Sequence, residues 1–209
     1  RPAATLIPSA YGMAGINLHT WTSGHGNLTY WNAYVAVTQM RGQGIFYDAR
    51  YNNPQRFPVA VRTGIWNTRS TVDRVTAKLP DLQTYQLALT APRPPAGSYN
   101  AARAQRGQAL FNGKARCATC HVQPTTAEPG WNAHFPAEIG IDEFQASRDP
   151  EGAYATPRLA GLWAHQKGGF YHDGRFATLM DVVNHYDAHF RLGLTAQEKE
   201  ELVEYLKSI

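Results

Sequence analysis

Two thiols and an imidazole stand together at Cys117, Cys120 and His121, in the order Cys-x-x-Cys-His. Each residue type has a chemical task at this spacing. The thiols can each add across one vinyl group of a porphyrin, and the imidazole that follows then lies under the iron as an axial ligand. A Cys-x-x-Cys pair is also read as a dithiol redox couple or as half of a zinc site. The chain has only two cysteines, so no second pair completes a four-thiolate zinc site. A mixed zinc site lacks its usual downstream histidine pair. The expectation is one covalent haem c, with His121 as a metal ligand and no cysteine left for a disulfide.

The second axial position decides the chemistry. Haem iron with two protein ligands mainly carries electrons, whereas an open distal face admits peroxide or a small gas. From Thr178 onward, Leu179, Val182, Val183, Tyr186 and Phe190 share one apolar helix face. Tyr186 lies on that face, Met180 beside it, and His185 and His189 off it. Tyr186 ranks first as the second metal ligand, Met180 second and the histidines third. The plain alternative for Tyr186 is a core tyrosine with a satisfied hydroxyl, and for Met180 a gap-filling thioether.

Helices must position these groups. Asn100 caps a predicted helix through Ala104, Gly107 and Phe111 that stops at Gly113. Thr195 and Glu198 form a capping box at the start of a last helix, which turns Leu202, Tyr205 and Leu206 inward. Gly107 permits close backbone approach, and Phe111 and Tyr205 are natural aromatic partners. Between these helices, residues 124–157 are rich in proline and glycine, as a loop wrapping a cofactor would be.

The N-terminal half is less legible. Residues 1–26 read as irregular, Asn27 caps a helix running to Met40, and residues 57–61 suggest a short strand. A turn occupies 71–78. A helix follows from Pro80 to Leu89, with Leu82, Tyr85 and Leu89 on one face. Pro92, Pro94 and Pro95 stiffen a linker, which divides the chain into a covering segment (1–95) and a haem domain (96–209).

The 209 residues, 43% hydrophobic and 11% aromatic, suffice for one large or two small domains with a packed core. The formal charge of +4 is a mild excess without a long Lys/Arg run, which argues against nucleic acid. A basic face would suit an acidic redox partner protein. No apolar run approaches membrane-spanning length, so no transmembrane segment is expected. The chain opens at Arg1 without a signal-peptide pattern, as a processed product would. Covalent haem attachment takes place outside the bacterial cytoplasm, which points to a periplasmic or secreted protein.

Residues 100–209 carry specific motifs: Thr156-Pro157 with Leu159; Tyr171-His172-Asp173-Gly174; and Thr178-Leu179 with Val182-Val183. This segment resembles the C-terminal haem domain of bacterial dihaem cytochrome c peroxidases and the methylamine-utilisation (MauG-like) enzymes. Its crossing of first and last helices resembles class I cytochromes c. The resemblance implies a mainly α, class I cytochrome c-like haem domain, joined here to a mostly helical and irregular N-terminal covering segment. It also implies a distal ligand near Tyr186, which is methionine in the peroxidases and tyrosine in the methylamine-utilisation enzyme. The family places the Tyr171–Gly174 segment against the haem edge, so His172 and Arg175 are expected as neighbours of the cofactor. Arg158 and Trp163 are candidate partners of its propionates, with ordinary packing as their plain alternative. Calcium, which the family peroxidases bind between domains, is a candidate second cofactor. The family holds two haems, yet residues 1–116 contain no cysteine. The primary expectation is therefore a monohaem c-type cytochrome passing single electrons. The alternatives are a peroxidase-type oxidoreductase with its second haem elsewhere, and a haem-based module that binds a small ligand.

Overall fold

The computed structural model describes residues 5–165 and 167–209. The first four residues of the predicted irregular N-terminal stretch lie outside that range. The fold is mainly α, as the motifs imply. In chain order the elements are α1 (Leu28–Tyr34, extended by a π-helical turn over Val35–Gln39), β1 (Ile45–Tyr47), α2 (Pro58–Thr63), β2 (Asn67–Arg69), α3 (Leu79–Ala88), α4 (Ala101–Asn112), α5 (Pro136–Ile139), α6 (Leu179–Phe190) and α7 (Ala196–Ser208).

The C-terminal half is built on the crossing of α4 and α7. The Asn100 side chain accepts the Arg103 N–H at the start of α4, and Thr195 and Glu198 close a reciprocal capping box at the start of α7. Both caps follow the sequence expectation. The helices meet at Gly107, where a Cβ would stand 2.0 Å from the Glu201 carbonyl oxygen. Only a residue without a side chain allows this approach. One turn on, Phe111 is 1% exposed and meets Tyr205 edge-to-face at 5.1 Å. Leu202, Val203 and Leu206 of α7 join Leu179 and Val183 of α6 in the same core. A second capping box, Thr178 with Asp181, starts α6.

Two expectations for the N-terminal half need correction. Residues 57–61 do not form a strand: Pro58 opens α2 at its first turn, and Gly64 closes it in the left-handed conformation. The strands that do form, β1 and β2, pair antiparallel with Phe46 opposite Thr68. Leu82 and Tyr85 do not face inward; they are 41% and 63% exposed. The inward side of α3 instead combines buried Leu79 with the half-buried amides of Gln83 and Gln86. Gln83 accepts from Thr29, and Gln86 accepts from Asn32 at 2.7 Å, which ties α3 to α1 by amide and hydroxyl bonds.

Residues 5–26 run across the C-terminal half. The Leu6 N–H donates to the His172 carbonyl at 2.8 Å, and the Ser23 N–H donates to the Ala153 carbonyl at 3.1 Å. The linker is packed too, since the Trp163 indole donates to the Pro92 carbonyl at 2.9 Å.

Candidate haem site

The chain leaving α4 turns through Arg116, which takes a left-handed φ of 57°, into a short 3-10 turn at Cys117–Thr119. The His121 N–H then closes on the Cys117 carbonyl at 2.9 Å. This places the imidazole inside the loop. Its Nδ1 lies 2.9 Å from the Thr126 carbonyl oxygen, which can only accept, so Nδ1 carries the proton and Nε2 keeps a free lone pair. Burial also lowers the His121 pKa, which favours the neutral ring a metal requires. Thr126 is held in turn, because its hydroxyl accepts from the Leu159 N–H at 3.0 Å. The Thr156–Leu159 motif thus fixes the carbonyl that orients His121.

Cys117 and His121 open onto a cavity with an empty volume of about 1180 Å³, including solvent at its mouth. Phe111, Leu162, Phe170, Leu179, Val182 and Leu206 give it mostly apolar walls. Tyr186 also lines it, and burial pushes that phenol up to about 12. Cys120 is half-buried and is not among the lining side chains.

The expected neighbours of the cofactor separate into two groups. Arg158 and His172 line the cavity. Arg158 is 8% exposed; it donates to the Tyr11 carbonyl and to the Ser9 hydroxyl, and burial lowers its pKa to about 10. Among the described residues it forms no salt bridge. A buried guanidinium of this kind suits an anionic group such as a porphyrin propionate. His172 stacks on Tyr154 at 4.9 Å, and burial lowers its pKa against the opposing pull of Asp173.

Trp163, Arg175 and Met180 do not line the cavity. The Trp163 indole is engaged by Pro92, and Arg175 pairs with Asp173 and Asp142. Met180 packs against the helical core. His185 and His189 are tied away by their Nε2 atoms, to the Ile139 and Glu138 carbonyls at 2.8 and 2.9 Å. Sequence reasoning missed Tyr11, Trp21, Tyr154, His165 and Tyr171 as cavity residues, all of which line it. Tyr171 alone had a signal, as a member of the quoted motif; the others come from distant, unpatterned stretches.

The described residues also include two other clusters of metal-binding type. Cys120, Glu128 and His134 share one, and Asp142, His172 and Asp173 the other. Neither is the all-oxygen set that calcium prefers, and Arg175 bridges the two carboxylates of the second.

The two-cysteine turn, the oriented His121, the buried Arg158 and the apolar walls all fit a c-type haem. No family model matches the chain. Among curated proteins it is 26% identical over 151 residues to cytochrome-c peroxidase IdrP1 of Denitromonas iodatirespirans, covering 52% of this chain and 40% of that protein. It is 29% identical over 144 residues to hydrazine synthase subunit gamma of Kuenenia stuttgartiensis, covering 50% and 40%. It is 33% identical over 91 residues to the methylamine utilization protein MauG of Methylorubrum extorquens, covering 41% and 25%. The chain resembles the dihaem peroxidase and MauG-like haem proteins. The likeness is partial: the chain spans two fifths or less of the length of these relatives. No helix among the described residues is long and apolar enough to cross a membrane.

Proposed function

We propose that this chain is a c-type haem redox protein of MauG-like kind that passes single electrons, with one haem attached through Cys117 and Cys120. The observation that carries the reading is that His121, its Nε2 free, and Tyr186 line one cavity, while Met180, His185 and His189 do not. Bound there, the haem would supply a one-electron iron couple. The residues around it perform the remaining tasks. The Thr126 carbonyl holds the His121 ring in one tautomer and orientation. Arg158 receives a propionate, with Tyr11 and Ser9 fixing its guanidinium. Phe111, Leu179, Val182 and Leu206 exclude water from the ring faces. The Tyr186 phenol is available as the second protein ligand. Residues 1–95 act as a covering segment, since Pro8, Ser9, Tyr11 and Trp21 contribute to the cavity wall. The protein works in the periplasm or outside the cell, with a redox partner protein.

The spectrum of the ferric protein tests this reading. It should show six-coordinate iron that responds slowly or not at all to cyanide and peroxide. Five-coordinate iron, changing promptly on adding either, overturns simple electron transfer. That outcome favours a second reading, a peroxidase-type oxidoreductase whose other haem lies outside these 209 residues. The observation behind this alternative is the match to two proteins named cytochrome-c peroxidase and MauG, each much longer than this chain.

A further inference from the structure

Tyr171 stands out on two independent counts. Its φ is +71°, in the left-handed region that a bulky side chain seldom adopts. Its hydroxyl is also buried, with no hydrogen-bond partner among the described residues. Both features disfavour tyrosine here, so the surrounding structure must impose them.

That structure is a tight reversal of the chain. The Phe170 N–H donates to the Phe176 carbonyl at 2.7 Å, and a Cβ on Gly174 would stand 2.1 Å from the Gly168 carbonyl oxygen. Tyr171 lies within this reversal and lines the cavity. The ring is fixed by Phe176 edge-on at 4.8 Å and by His185 edge-on at 5.8 Å. The next ring is that of Tyr186, with centroids 6.1 Å apart and planes at 37°. Two phenols therefore line the same cavity side by side, one from a strained loop and one from α6.

We propose that Tyr171 is a positioning residue whose hydroxyl donates a hydrogen bond to the Tyr186 oxygen and thereby sets how strongly that oxygen donates to the iron. This rests on Tyr186 being the second axial ligand. The roles of donor and acceptor follow from chemistry. A coordinated tyrosine oxygen is negative and can only accept, while the Tyr171 phenol carries its proton at neutral pH and can donate to it. A hydrogen bond to a ligand oxygen withdraws electron density from it. The ferric state is then less stabilised, and the reduction potential is higher than a bare tyrosine ligand would give.

The test is made on the haem-loaded protein with Tyr171→Phe, which keeps the ring and deletes only the hydroxyl. The midpoint potential should fall, and the tyrosinate-to-iron charge-transfer band should move to longer wavelength. Site-specific 3-fluorotyrosine at position 171, a stronger donor of similar shape, should move both readouts the opposite way. A role limited to packing would move neither. Tyr186→Phe is measured alongside. If it changes the ferric spectrum while both position-171 substitutions leave potential and band unmoved, the hydrogen bond is refuted and the tyrosine ligand stands. If Tyr186→Phe leaves the ferric spectrum unchanged, the ligand reading fails, and the role of Tyr171 fails with it.

Discussion

At the scale of single residues, the site depends on which polar atoms are already engaged. His121 has one nitrogen held by Thr126 and the other free, whereas His185 and His189 have given their Nε2 atoms to carbonyls of the α5 segment. Tyr186 faces the cavity, and Met180 packs in the neighbouring core. Tyr186→Phe should therefore change the ferric optical and paramagnetic spectra and open the iron to cyanide, while Met180→Leu leaves them as they are. The reverse result would move the second ligand to Met180. The ordering of these two residues was legible from helix phase, because Leu179, Val183 and Tyr186 repeat at spacings of three and four. The exclusion of Trp163 and Arg175 from the cavity was not legible. Trp163 is held by Pro92, which is distant in sequence, and Arg175 is held by the nearby Asp173 together with the distant Asp142, whose position no local pattern gives.

At the scale of elements, the α4–α7 crossing positions the two-cysteine turn. The Glu201 carbonyl lies so close to Gly107 that a single methyl has no room, and the obstacle is backbone. Gly107→Ala should cost about 3 kcal/mol through this overpacking, read as a lower urea midpoint with an unchanged slope. An unchanged midpoint would mean that the helices separate freely. The boundaries of α4 and α7 could be read because their caps are local: Asn100 with Arg103, and Thr195 with Glu198. α2 was misread because apolar Val59 and Val61 alternate like a strand over a very short element. The informative residues were its ends, Pro58 and Gly64. The inward face of α3 defied an apolar pattern because Gln83 and Gln86 bond to α1 instead of packing on it.

At the scale of the whole molecule, one buried carboxylate joins the N-terminal segment to the haem half. Asp149 is 1% exposed; it accepts the Gly24 N–H at 2.9 Å and lies 2.8 Å from His25 Nδ1. The other His25 nitrogen meets the Tyr51 hydroxyl at 2.7 Å. Burial pushes the Asp149 pKa up, but bonds from His25 and Thr22 more than offset this and leave it below its ordinary 3.8. A carboxylate with a depressed folded pKa adds stability above its unfolded pKa and loses it as pH falls through the folded one. Asp149→Ala should cost roughly 1–3 kcal/mol near neutral pH, because it leaves buried donors unpaired. The difference from the parent protein should shrink as the pH is lowered beneath 3.8, as followed by urea unfolding. A difference independent of acid would show that the carboxylate charge plays no part in the joint.

The redox role and both ligand assignments depend on a porphyrin joined to Cys117 and Cys120. Intact-mass measurement after acid–acetone extraction and treatment with a thiol-alkylating reagent tests that most directly. The expected product is a polypeptide heavier by one haem, with neither cysteine alkylated. A polypeptide of bare mass with both thiols alkylated would contradict it.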